Sequence, residues 1–276
     1  MTPTEKFADF HTHSTYCDGK NTLREMVQAA YDKGLYAFGF SGHSPMDEEC
    51  EWCIPSDKLD EYYAEATALK NEYKGKMDVL VGLELDIFSP LPTQKFDYYI
   101  SSVHSIEKDG AMLTVDYSRE RTVADVRKYY GGDYYAYTKD YFELVSHCAD
   151  RVDGVIVGHF DLVTKFNEGG CLFDETDERY LEHGYAAIDK LCKKNAIFEV
   201  NTGAISRGYR KTPYPSLPFL KRIKHGGGRV ILSGDCHSTD AICHEFELAL
   251  RLIHEAGFDS VEKYPIIRNE KVRSEE

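Results

Sequence analysis

Residues 10–18 read FHTHSTYCD: two histidines flank a single threonine, and a carboxylate follows five positions later. In an extended strand, residues i and i+2 project to the same side, so His11 and His13 present both imidazoles to one point. Gly19 permits the turn that brings Asp18 back over that point. The same residue types recur in short segments further on: His43 in SGHS, Glu84 and Asp86 in GLELD, and His104 in SSVHS. They continue with His159 and Asp161 in GHFD, Asn201 in FEVN, and Asp235 and His237 in SGDCHS. Imidazoles and carboxylates without a convincing thiolate set suit zinc, manganese or iron better than magnesium or calcium. Gathered in one place, such carboxylates repel and such imidazoles lack partners unless divalent cations supply charge.

The elements that must carry these residues follow from hydrophobic periodicity. Apolar strand segments are expected at 7–10, 35–44, 78–87, 96–106, 153–161, 196–202 and 228–238. Between them lie helical stripes. The first carries Leu23, Met26, Val27, Ala30 and Tyr31, with a Thr22/Glu25 capping box and Gly34 as its stop. Ser56 is expected to cap a second helix through Leu59, Tyr62, Tyr63, Ala66 and Leu69. Others run over 181–195, from about Ser216, and through Ile242, Phe246, Ala249, Leu250 and Ile253. Residues 105–152 form the longest excursion, expected to lay one or two helices over one end of the fold.

Such alternation implies parallel strands. The metal-binding types fall at the strands' C-terminal ends. In a closed αβ barrel those ends share one face, whereas an open sheet would space them along a line. The chain therefore reads as a single α/β barrel domain over 1–276, with one polar cluster at the C-terminal ends of the strands.

The remaining composition narrows the function. A net charge of −14 argues against nucleic acid as a partner. No apolar run reaches a membrane span, and MTPTEKFADF lacks the pattern of a secretory signal, so a cytoplasmic location is expected. The eight cysteines are then expected to stay reduced, with Cys50 and Cys53 of ECEWC as a loop feature. Cys236 should face the barrel wall. His147, His183, His225, His244 and His254 read as surface or packing residues, and the tyrosines of 129–141 as packing and lid residues.

Taken in order, DFHTHSTYCDG, SGHS, GLELD, SSVHS, GHFDL, FEVNTGAISR and SGDCHS resemble the polymerase-and-histidinol-phosphatase (PHP) superfamily, and most of all its monofunctional histidinol-phosphatase branch. The resemblance runs from residue 9 to about 238. It implies a distorted TIM-like (β/α)7 barrel holding three divalent ions. One ion would lie on His11, His13, Glu84 and Asp235; Glu84 would bridge to a second on His104 and His159; Asp18, His43 and His237 would hold a third. Some members carry a histidine where Asp18 stands. The implied activity is hydrolysis of L-histidinol phosphate, late in histidine biosynthesis, with Glu84, Asp235 and His237 carrying catalysis and Asp235 a candidate proton donor. The implied partner is a small phosphate monoester, with neither nucleic acid nor membrane. Three divalent ions against Asp18, Glu84 and Asp235 leave a local charge of about +3, so an acidic protein can still attract a phosphate. Arg207 and Lys165 are the expected phosphate-binding bases. The alternatives are a broader phosphoesterase acting on nucleotides, oligonucleotides or phosphotyrosine, and a non-catalytic metal-binding scaffold.

Overall fold

The computed structural model describes residues 7–46 and 50–265. The chain runs through β1 (Ala8–Asp9), α1 (Leu23–Asp32), β2 (Ala37–Phe40), α2 (Leu59–Glu72), β3 (Asp78–Asp86) and β4 (Tyr98–Ser102). It continues through β5 (Ser105–Lys108), β6 (Ala111–Thr114), α3 (Arg119–Tyr130), α4 (Tyr134–Val145), β7 (Ile156–Val157) and α5 (Glu178–Lys193). Last come β8 (Ile197–Asn201), α6 (Gly203–Ser206), α7 (Leu217–His225), β9 (Arg229–Ser233) and α8 (Phe246–Glu255).

Seven strands pair side by side in the order β1-β2-β3-β4-β7-β8-β9, every pair parallel. Just past the ends of β1 and β9, a parallel bridge joins Thr12 to Cys236. His13 N donates to Cys236 O at 2.9 Å and Cys236 N donates to His11 O at 3.1 Å. These bonds close the sheet on itself, which excludes an open sheet and makes the fold the expected TIM-like barrel. Inside it, Ala8, Phe10, Ala37, Leu80, Tyr98, Ile100, Ile156, Ile197 and Ile231 form one buried apolar cluster. The Tyr98 hydroxyl, deep in this cluster, donates to Phe10 O at 2.6 Å and Phe40 O at 2.9 Å. Since side chains alternate along a strand, inward positions beyond Leu80 and Ile197 are Gly82, Glu84 and Asp86 on β3, and Glu199 and Asn201 on β8. The interior thus turns from apolar to polar toward the C-terminal ends.

The helices pack outside. α1 starts at the expected capping box, with Glu25 N donating to Thr22 Oγ1 at 3.2 Å and Thr22 N donating to Glu25 Oε2 at 2.8 Å. Its apolar stripe is buried except for Tyr31, which is exposed. Several details differ from expectation. Ser56 caps nothing: it opens a 3-10 turn, and α2 begins at Leu59 without a side-chain cap. Ile242 lies outside the last helix, because Cys243 and Glu245 take left-handed φ values of 56° and 55° that interrupt helical geometry before Phe246. The fourth strand stops at Ser102, and the excursion opens with an antiparallel hairpin, β5–β6, before its two helices. Cys50 and Cys53 are joined as a disulfide across a tight turn, with Cα atoms 5.4 Å apart. This corrects the expectation that every cysteine stays reduced; the i, i+3 turn is what brings the two sulfurs together. Cys236 is buried against the outer wall, as expected. No helix among the described residues is long and apolar enough to cross a membrane. Residues 1–6, part of the segment read for a secretory signal, lie outside the described residues.

Candidate metal centre

Each expected site residue emerges at the C-terminal mouth of the barrel. His11 and His13 follow β1, His43 follows β2, Glu84 lies on β3, His104 follows β4, His159 follows β7, and Asp235 and His237 follow β9. Asp18 sits in the loop after β1. Gly19 lets that loop fold tightly, for a Cβ there would lie 2.5 Å from Ser14 N. Asp235 takes a left-handed backbone, φ 45°. Asp18 is exposed and His237 half-buried, while His11, His13, His43, Glu84, His104, His159 and Asp235 are buried.

Glu84 stands at the centre. Its Oε2 lies 3.1 Å from His11 Nε2, 3.6 Å from His13 Nε2 and 2.8 Å from His43 Nδ1. Its Oε1 faces a different pair, His104 Nε2 at 3.3 Å and His159 Nε2 at 3.1 Å. Asp235 Oδ1 sits on the first side, 3.2 Å from His13 Nε2 and 3.8 Å from His11 Nε2. Asp18 gathers a third group, with His237 Nε2 at 3.1 Å, His43 Nε2 at 3.6 Å and His13 Nδ1 at 3.7 Å. Ligand atoms of His13, Asp18, His43 and His237 all fall within 4.8 Å of one another. Three histidines therefore face two groups each: His13 turns its second nitrogen to Asp18, His43 turns Nδ1 to Glu84, and His237 Nδ1 lies 3.6 Å from Asp235 Oδ1.

The electrostatics fit a cation. Burial alone would raise the Glu84 carboxyl, but the imidazoles of His43, His11 and His104 pull it well below the usual carboxylate range. Burial is likewise overcome at Asp235, by Arg207 and His11. His13 goes the other way: burial, with His237 and His43 beside it, lowers its imidazole to about 3, so it stays neutral with a lone pair to offer. Yet His11 Nε2, His13 Nε2, His43 Nδ1 and Glu84 Oε2 are buried without a well-formed hydrogen bond. Buried polar atoms left so are costly, and a divalent ion among them would satisfy nitrogen and oxygen donors together. The residues present fit such an ion.

Above the cluster opens a cavity of about 380 Å³. Its wall includes Trp52, Asp116, Lys165 and Arg207 beside the metal-binding types. Both expected phosphate-binding bases are thus at the cavity, and both already hold carboxylates. Arg207 donates to Asp235 Oδ2 at 2.9 Å, to Asp235 O at 2.9 Å, and meets His237 Nδ1 at 2.9 Å. Lys165 Nζ donates to Asp116 O at 2.9 Å and lies 3.3 Å from Asp116 Oδ2. Trp52 packs against His43 and His104, ring centroids 4.7 and 5.0 Å away. Asp161 stays out of the cluster: it is buried, its Oδ2 accepts from Ser216 N at 3.0 Å, and burial raises its carboxyl to about 6.

Behind the cluster stand three more acids: Asp86, which the sequence grouped with the metal-binding types, and Glu199 and Asp9, which sequence reasoning missed. Glu199 accepts from His11 Nδ1 at 2.8 Å, Asp86 from His104 Nδ1 at 2.9 Å, and Asp9 from His11 N at 3.3 Å and Gly234 N at 2.8 Å. A signal for Glu199 was present: it is an acid inside an apolar strand, in the same inward register as Asn201.

A PHP domain signature matches residues 9–203, more than half of the chain. The chain belongs to the PHP domain family. Among curated relatives, a Deinococcus radiodurans protein named "Probable histidinol-phosphatase" is 31% identical over 90% of this PHP chain and 93% of its own length. The histidinol-phosphatase of Bacillus subtilis is 25% identical over 88% of this chain and 97% of its own. Among solved structures, histidinol phosphate phosphatase from Lactococcus lactis, complexed with zinc, L-histidinol and phosphate, superposes with a TM-score of 0.66. It is 20% identical and covers 96% of this PHP chain and 99% of its own, a likeness of fold.

Proposed function

We propose that this PHP protein hydrolyses L-histidinol phosphate to L-histidinol and phosphate, using divalent ions held at the barrel mouth. The observation that carries the reading is the divided Glu84 carboxylate, each oxygen facing its own set of imidazoles beneath a cavity edged by two bases. The names of the Deinococcus and Bacillus relatives, and the ligands of the Lactococcus structure, supply the substrate.

In this reading His11, His13, Glu84 and Asp235 hold one ion, Glu84 with His104 and His159 a second, and Asp18, His43 and His237 a third. The ions are zinc, manganese or iron. When bound, they supply Lewis-acid polarisation of the phosphoryl group and offset its negative charge during in-line attack. The chain's own residues do the rest. Arg207 and Lys165 meet the phosphate oxygens, Arg207 through a planar fork and Lys165 as a point charge. Asp235, kept ionised beside Arg207, turns Oδ1 toward the ion and Oδ2 to the Arg207 guanidinium, and so fixes that guanidinium for the phosphate. Arg207 and Asp18 brace the His237 ring from either side. Trp52 offers an apolar wall, and Asp116 a carboxylate, to the organic half of the substrate.

The test is kcat/KM on histidinol phosphate against para-nitrophenyl phosphate, AMP and a phosphotyrosine peptide, after loading with zinc or manganese. A clear preference for histidinol phosphate is expected. Equal rates on all four would remove the specific assignment and leave a broad phosphoesterase.

A further inference from the structure

Glu199 is fully buried on β8, across the barrel from Glu84, and it touches both sides of the cluster. Its Oε2 accepts from His11 Nδ1 at 2.8 Å. Its Oε1 accepts from the backbone N–H of His159 and, at 2.8 Å, from Asn201 Nδ2. His11 belongs to the Oε2 side of Glu84 and His159 to the Oε1 side. One carboxylate therefore reaches, from behind, a residue of each group that Glu84 reaches from in front.

We infer that Glu199 is a positioning residue that fixes His11 and His159 together, setting the spacing between the two ion sites on either side of Glu84. The chemistry is specific. A neutral imidazole that offers Nε2 to a cation must carry its proton on Nδ1, and Glu199 Oε2 is the acceptor that holds it there. Asp86 does the same for His104 alone, at 2.9 Å. Glu199 differs in spanning two elements: it ties the chain after β1 to the chain after β7, which are not neighbours in the sheet. A glutamine in its place keeps one acceptor for His159 N–H but turns an amide donor toward His11. That favours the opposite tautomer, whose Nε2–H points at the ion site.

The inference rests on the metal reading above, and the experiment separates the two. Zinc affinity of Glu199→Gln is measured by competition with a chromophoric chelator, alongside wild type and Asp86→Asn. The Nδ1–H proton of His11 is followed by nuclear magnetic resonance in the zinc-loaded proteins. Zinc affinity is expected to fall about 10–100-fold in Glu199→Gln. The downfield His11 resonance should be lost there and kept in Asp86→Asn. Glu199→Asp restores the charge on a shorter arm, so its affinity should lie between the two, and it carries the same comparison if the glutamine variant does not fold. Wild-type affinity with an unmoved His11 resonance would overturn the inference while leaving the metal reading intact. Failure of the wild-type protein to bind zinc would overturn both.

Discussion

At the residue scale the proposed chemistry turns on Glu84. It is one buried carboxylate facing five imidazoles, those of His11, His13, His43, His104 and His159. Glu84→Gln preserves its volume and removes one of its two ionic oxygens. Turnover is expected to fall by about 100-fold or more, beyond the usual cost of disturbing an outer-shell partner. Metal analysis should show two ions weakened together; full metal content with wild-type turnover would contradict the bridging role. Lys165 is a milder case. Its amine is held by Asp116 and adjoins the cavity without touching the cluster, so Lys165→Ala should act on substrate binding. A lost charged hydrogen bond costs about 1.5–3 kcal/mol, which predicts KM raised about 10-fold or more with kcat little changed. A fall in kcat at constant KM would place Lys165 in the chemical step instead.

At the element scale, what was legible in the sequence and what was not have separate causes. The metal-binding types were legible because they stand out against the apolar strands they close. Glu199 was not, since IFEVN reads as one more buried strand unless its inward register is counted against Asn201. The β5–β6 hairpin was missed for another reason. Residues 96–106 look like one apolar run, which hides the break at Val103–His104 between β4 and β5. The hairpin's own mark is Asp109–Gly110, both with left-handed φ, 50° and 74°, the two-residue turn that suits strand twist. That turn delivers Thr114, Asp116 and Tyr117 to the cavity wall. Of the two caps the sequence named, Thr22 caps its helix, whereas Ser56 does not cap α2. Thr22→Ala should therefore destabilise the protein by about 1 kcal/mol, lowering the thermal midpoint by about 2 °C. Ser56→Ala should do neither, because Ser56 makes no capping bond.

At the scale of the whole molecule, seven strands meet at one rim, and the acidic chain of net charge −14 concentrates its imidazoles there. Ions bound at that rim are bound by the folded state alone, so their free energy adds to stability. Exhaustive chelation should lower the thermal midpoint and abolish turnover, and zinc should restore both. At free zinc of 100 times the dissociation constant, the gain is about 2.7 kcal/mol per site. An unchanged midpoint on chelation would show that the ions are not part of the fold's energetics.

The seam that shuts the barrel at Thr12 and Cys236 is made of the same backbone that carries His11, His13, Asp235 and His237. Cargo and clasp are one device here. If the proposed ions sit there, a fluctuation that unzips those few amides would also part His11 and His13 from Asp235 and His237, so loss of ions and local opening of the cylinder would be a single event rather than two.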